Sequence, residues 1–194
     1  MRVYQFRHFG KWYPSIARGR KYNPLRDPCN PLRSSGAVGT LLRMNGFRRM
    51  ADHRPIQLLD HVLEIIARDP GVEVLVGSDS QNHERHTIYT TTVVLRYHRN
   101  GAQVLYRRER TERIRDLWTR LWGEVERSLE VARTLSDVGG IRISRIDMDI
   151  NSDPRFASHK LHTTAVGYVR SQGYETRTKP ELLIATWAAN LLCQ

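Results

Sequence analysis

Apolar residues recur at helical spacing through IQLLDHVLEIIA, residues 56–67, and the DPG run at 69–71 ends that period. VEVLVGSD follows and reads as a short buried strand finishing on a charge, Asp79. HTIYTTTVVLRYH is a longer β-branched strand, Asn100-Gly101 is a hairpin signal, and AQVLYRRER is the hairpin partner. A long amphipathic helix is expected from about Arg113 to Leu135, closed by DVGG. Its apolar face is Leu117, Leu121, Val125, Ala132 and Leu135; Trp118 and Trp122 read as core residues, and Glu124 lies at the edge of the face. The pattern then gives a strand, IRISRIDMDIN, a helix around HKLHTTAVGYVRSQ and a short strand, YETRTK. A final helix is expected to open at Pro180 and Glu181, since proline followed by an acid suits a first turn. After the first helix the order is β-β-β-α-β-α-β-α. That order predicts an α/β fold, a mixed five-stranded sheet flanked by helices.

A helical crossover after the third strand can return IRISRIDMDI beside the first strand and parallel to it. Neighbouring strands lie about 4.8 Å apart. Asp79 and the aspartates of DMD, Asp147 and Asp149, would then meet at the carboxyl end of adjacent parallel strands, where open α/β sheets place ligands. Two carboxylates within about 4 Å repel by roughly 4 kcal/mol at an effective dielectric near 20. A cation or a shared proton relieves that cost, and oxygen donors without sulfur or imidazole suit Mg²⁺ or Mn²⁺. The competing reading makes each aspartate a turn cap at a strand end.

Charge changes the picture less than its total suggests. The chain of 194 residues carries a net charge of +11. Residues 1–49 hold 11 Lys or Arg against one acid, Asp27, whereas the remainder hold 20 against 19. The basic excess therefore belongs to a leading arm rich in Arg, Pro, Gly and Ser, and cannot argue that the domain binds phosphate. Residues 1–49 are expected to be an irregular arm, either a nucleic-acid tether or a segment preceding a true start at Met50, with the folded domain spanning 50–194. No apolar stretch is long enough for a transmembrane helix, and the basic opening, which lacks a continuous apolar core, is not expected to act as a secretory signal. Cys29 and Cys193 lack metal-like spacing and fit a reducing cytoplasm.

The stretches GSDSQNH, RLWGEVERSLEVARTL, DMDIN, GYVRSQGYETRTKPE and WAAN resemble, in order and spacing, the YkuK-type ribonuclease H-like family. The resemblance covers about residues 55–194, and its most specific parts are DSQ and DIN. It implies a ribonuclease H-like fold with one or two Mg²⁺ or Mn²⁺ ions. Asp79 would be the first-strand metal aspartate, Glu124 the helix glutamate and Asp149 the fourth-strand aspartate, leaving Asp147 a lesser candidate. The family's last helix tends to read AAxxxAD, whereas this chain has Asn190 at the expected acid. Asn190 projects from an apolar face, so its amide is expected to be buried and held by polar partners. Its carbonyl oxygen can ligate Mg²⁺ but brings no charge, and Glu181 is an alternative fourth ligand.

Gln81, His83, Asn151, Lys160 and Lys179 are weaker, substrate-contacting candidates: His83 could shuttle a proton or touch phosphate, and the two lysines could neutralise it. No P-loop is present, and GSDSQ lacks the spacing of a nucleophile elbow. The expected function is metal-dependent hydrolysis of phosphodiester bonds in RNA or DNA. Two other readings stay open: a nucleic-acid-binding or scaffold protein that has lost hydrolysis, and a small-phosphate hydrolase on the same site.

Overall fold

The computed structural model describes residues 46–98 and 101–194. The structure of the arm at residues 1–45 and the Asn100 half of the expected turn lie outside the described residues.

The described elements run β1 (Arg48–Arg49), α1 (Leu58–Arg68), β2 (Glu73–Asn82), β3 (His86–Arg96), β4 (Ala102–Glu112), α2 (Leu117–Gly139), β5 (Arg145–Asn151), α3 (His159–Ser171), β6 (Thr176–Lys179) and α4 (Ile184–Cys193). The sheet is mixed and six-stranded, in the order β1-β4-β3-β2-β5-β6. The five expected strands are all present; the sixth is β1, two residues too short to show a period. It pairs antiparallel with β4, Arg48 opposite Tyr106 and Arg49 opposite Leu105. Phe47 just before it is fully buried. The expected domain boundary after residue 49 therefore falls inside the sheet.

Strand alternation divides the core between two faces. Val74, Val76, Val93, Leu95, Ile146 and Met148 pack against α1, α2 and α3. Leu75 and Val94 pack against Ala185 and Ala188 of α4 on the other face. Gly77 lets α4 approach this closely, since a Cβ there would stand 2.9 Å from the Ala185 Cβ and 3.0 Å from the Thr186 amide nitrogen. With helices on both faces, the central strands read as continuous apolar runs.

The crossover through α2 brings β5 parallel to β2, as the element order predicts, with Leu75 opposite Arg145 and Gly77 opposite Asp147. The Asp116 carboxylate caps α2 by accepting from the Thr119 amide at 2.7 Å, and Gly140, at φ 63°, closes it in the left-handed conformation. Of the two tryptophans expected in the core, Trp118 is exposed and Trp122 is partly covered, 5.2 Å from the Tyr168 ring. Two further expectations change. β2 does not finish at Asp79: it runs on to Asn82, paired with Thr87 of β3. The last helix starts at Ile184, after a turn in which the Glu181 amide donates to the Thr178 carbonyl at 3.0 Å. No helix among the described residues is long and apolar enough to cross a membrane.

Candidate functional site

Adjacent residues of a strand face opposite sides, and β2 uses this at its carboxyl end. Asp79 faces α4, where its Oδ2 accepts from Asn190 Nδ2 at 2.8 Å. Ser80 faces α2, where its hydroxyl donates to Glu124 Oε1. Pairing between β2 and β5 ends at Ser78 opposite Met148, so Asp79 and Asp149 are the next residue on each strand. The β5–β6 register shifts between Met148 and Asn151, which places Asp149 in an irregular segment. Its Oδ1 meets Lys179 Nζ at 2.6 Å. Glu124 and Asp149 line one narrow crevice together with Ser78 and Ser128.

The electrostatics tie these groups together. Glu124 is buried, and burial pushes its carboxyl well above the usual range; the Asp79 charge adds to the rise, and Asp149 contributes further. The Asp79 carboxyl is also raised, first by burial and then by Asp149, against the lowering effect of the Asn190 hydrogen bond. Arg120 opposes both rises and donates to the Ser80 carbonyl at 2.8 Å. Charges on β2 and β5 thus reach the α2 glutamate, and the β5 charge reaches Asp79. Among the described residues, no three His, Cys, Asp or Glu side chains converge tightly enough to form a metal-holding group. Each acid is turned instead to a local partner: Asn190, Ser80 or Lys179.

Asp147 departs from this set. It is fully buried, its Oδ1 takes Arg145 Nε at 2.7 Å, and its Oδ2 accepts from the Ala185 amide at 2.8 Å. It therefore anchors the start of α4. Asn190 meets Asp79 but is exposed, not buried as its helical position suggests. Glu181 is exposed and pairs with Arg177 at 3.4 Å. Asn151 shapes the turn after β5: its backbone N–H donates to Ser158 Oγ at 3.1 Å and its Oδ1 accepts from Asp153 N at 3.0 Å. Lys160 is exposed on the first turn of α3 and pairs with none of the three acids among the described residues. Gln81 is exposed on β2, and His83, in the turn that follows, stacks on His86 with centroids 4.9 Å apart.

Ser80 and Arg120 were not singled out from the sequence. The signal for Arg120 was available, since it precedes Glu124 by four residues and so shares its helix face. Ser80 had no signal of its own, because its partner lies 44 residues away.

No characterised protein and no solved structure matches the chain. The family model described as Ribonuclease H-like matches residues 57–194, from the start of α1 to the last residue. The mixed sheet, the α2 crossover into a parallel β5 and the last helix closing the opposite face agree with that match, and the chain belongs to the ribonuclease H-like family.

Proposed function

We propose that this protein is a divalent-metal-dependent nuclease that hydrolyses phosphodiester bonds of RNA or DNA at Asp79, Glu124 and Asp149. One observation carries the reading: at the end of the sheet the charges of Asp79 and Asp149, on two separate strands, add to the rise of the Glu124 carboxyl from α2, and Asp149 adds to that of Asp79. Such a group costs stability unless positive charge joins it. The donor set is all oxygen, which suits Mg²⁺ or Mn²⁺ and not zinc. Asp79, Glu124 and Asp149 would hold one or two ions, with the Asn190 carbonyl oxygen as a neutral fourth donor. The ions would polarise the phosphodiester and supply the positive charge that its hydrolysis needs.

The chain's own groups prepare the site. Ser80 and Arg120 hold the α2 side of it, through Glu124 and the β2 backbone. Asn190 keeps the Asp79 carboxylate aimed along α4. Lys179, half-exposed beside Asp149, can exchange that partner for a substrate phosphate.

A nucleic-acid-binding protein without cleavage is the second reading, favoured by Asn190, which brings no charge where a fourth acid would. Calorimetric titration of the full chain with Mn²⁺, beside Asp79→Asn, tests the site. Binding that disappears in the variant, together with Mn²⁺-dependent cleavage of labelled RNA or DNA, supports the nuclease. Binding of nucleic acid without metal uptake or cleavage selects the second reading.

A further inference from the structure

Beyond Asp79, β2 and β3 continue to Asn82 and back from His86, and β4 runs out to Glu112. Here the sheet outreaches α4, and Gln194, just after that helix, accepts through its carbonyl from Arg108 Nη2 at 3.2 Å. The register places Asp79 opposite Thr90 and Gln81 opposite Ile88. It places Thr90 opposite Arg108 and Ile88 opposite Arg110. By alternation, Gln81, His86, Arg108 and Arg110 therefore share the Asp79 face, on a strip that no described element covers. Gln81, Arg108 and Arg110 are exposed, and His83 and His86 are half-buried.

Two features make this strip more than a solvated edge. The His83 and His86 rings are stacked nearly parallel, 4.9 Å apart at an interplanar angle of 13°. His83 Nε2 is buried and has no hydrogen-bond partner. Arg110 and His83 also act on His86, whose proton affinity is lowered first by burial and then by those two neighbours, so the imidazoles and guanidinium lie close together. Glu112, opposite His86, and Glu84, exposed in the turn between the two histidines, are acids at this end of the strip. A flat π-face flanked by guanidinium groups fits the bases and phosphates of an unpaired strand, whereas a paired base hides its ring faces in the stack.

We propose that the projecting β2–β3–β4 end is a platform for single-stranded nucleic acid, on which the His83–His86 stack takes a base and Arg108 and Arg110 take phosphates, delivering the strand to the carboxylates. The platform rests on the nuclease reading for its purpose, but its binding needs no metal. The test uses the full chain in EDTA with single-stranded RNA or DNA of about a dozen nucleotides. Anisotropy gives affinity, and photo-crosslinking from thiouridine or thiothymidine, mapped to peptides, gives location. Crosslinks are expected on the segments containing His83, His86 and Arg110. The double variant His83→Ala/His86→Ala should weaken single-strand binding about 5- to 150-fold. Arg110→Gln should reduce the slope of log affinity against log salt by about 0.7. Thermal unfolding checks that both variants fold. Crosslinks confined to other segments, unchanged affinity and slope in both variants, or tighter binding of duplex than of single strands overturns the platform. Cleavage with crosslinks elsewhere sinks the platform and leaves the nuclease; crosslinks here without metal-dependent cleavage do the reverse.

Discussion

Asp147 holds Ala185: the carboxylate of β5 accepts the Ala185 amide at 2.8 Å and so supplies, from another strand, the cap that α4 lacks locally. Its other oxygen pairs with Arg145, a side chain that already carries one buried, unpartnered Nη2. Asp147→Ala should cost about 3–5 kcal/mol, because it leaves a buried guanidinium unpaired. Asp147→Asn keeps an acceptor and should cost less. Urea denaturation of the three proteins decides it; equal stability would show that α4 is held by its apolar face alone.

Phe47 makes a second prediction about where the domain begins. It is fully buried, with the Arg107 guanidinium 5.4 Å from its ring centroid. Phe47→Ala should destabilise the protein by about 3–5 kcal/mol. A chain beginning at Met50 should lose at least as much, since β1 goes as well. Both are read as a shift of the urea midpoint against the full chain.

The acid cluster sets a pH dependence. Glu124 has its carboxyl raised well above its ordinary value of 4.5, and Asp79 is raised as well. A carboxyl raised on folding favours the protonated native state, so its contribution is fully present below the unfolded pKa and is lost as pH rises through the folded one. In EDTA, Glu124→Gln should therefore be more stable than the native protein at neutral pH. That gain should shrink as the pH falls toward about 4.5 and be gone below it. Urea midpoints across the range follow its loss; a gain that grows on acidification would contradict the raised Glu124 carboxyl.

Asn190→Asp tests what the amide withholds. Nδ2 donates to Asp79 at 2.8 Å, so the new carboxylate would stand beside an existing one. Repulsion near 4 Å is roughly 4 kcal/mol at an effective dielectric near 20, and a cation reverses its sign. The variant should be less stable in EDTA and should bind Mn²⁺ at least about tenfold more tightly by calorimetry. Unchanged affinity would remove Asn190 from the proposed ligand set.

The residue pattern alone determined the four helices, five of the six strands, their order and the parallel return of β5 beside β2. Those are local periods plus one handed crossover, and both are written in nearby residues. It also placed Asp79, Glu124 and Asp149 on the elements whose ends converge. Tertiary structure decided what each acid does. Asp147 and Asp149 alternate on one strand with the same chemistry, yet Ala185 and Arg145 claim the first while Lys179 meets the second. Asn190 looked buried from its helical phase, but in the fold it is exposed and its amide meets Asp79. β1 was invisible because two residues carry no period, and the start of α4 because its cap comes from 38 residues upstream. Period is a property of neighbours in sequence; partnership and burial are properties of neighbours in space, and only folding creates them.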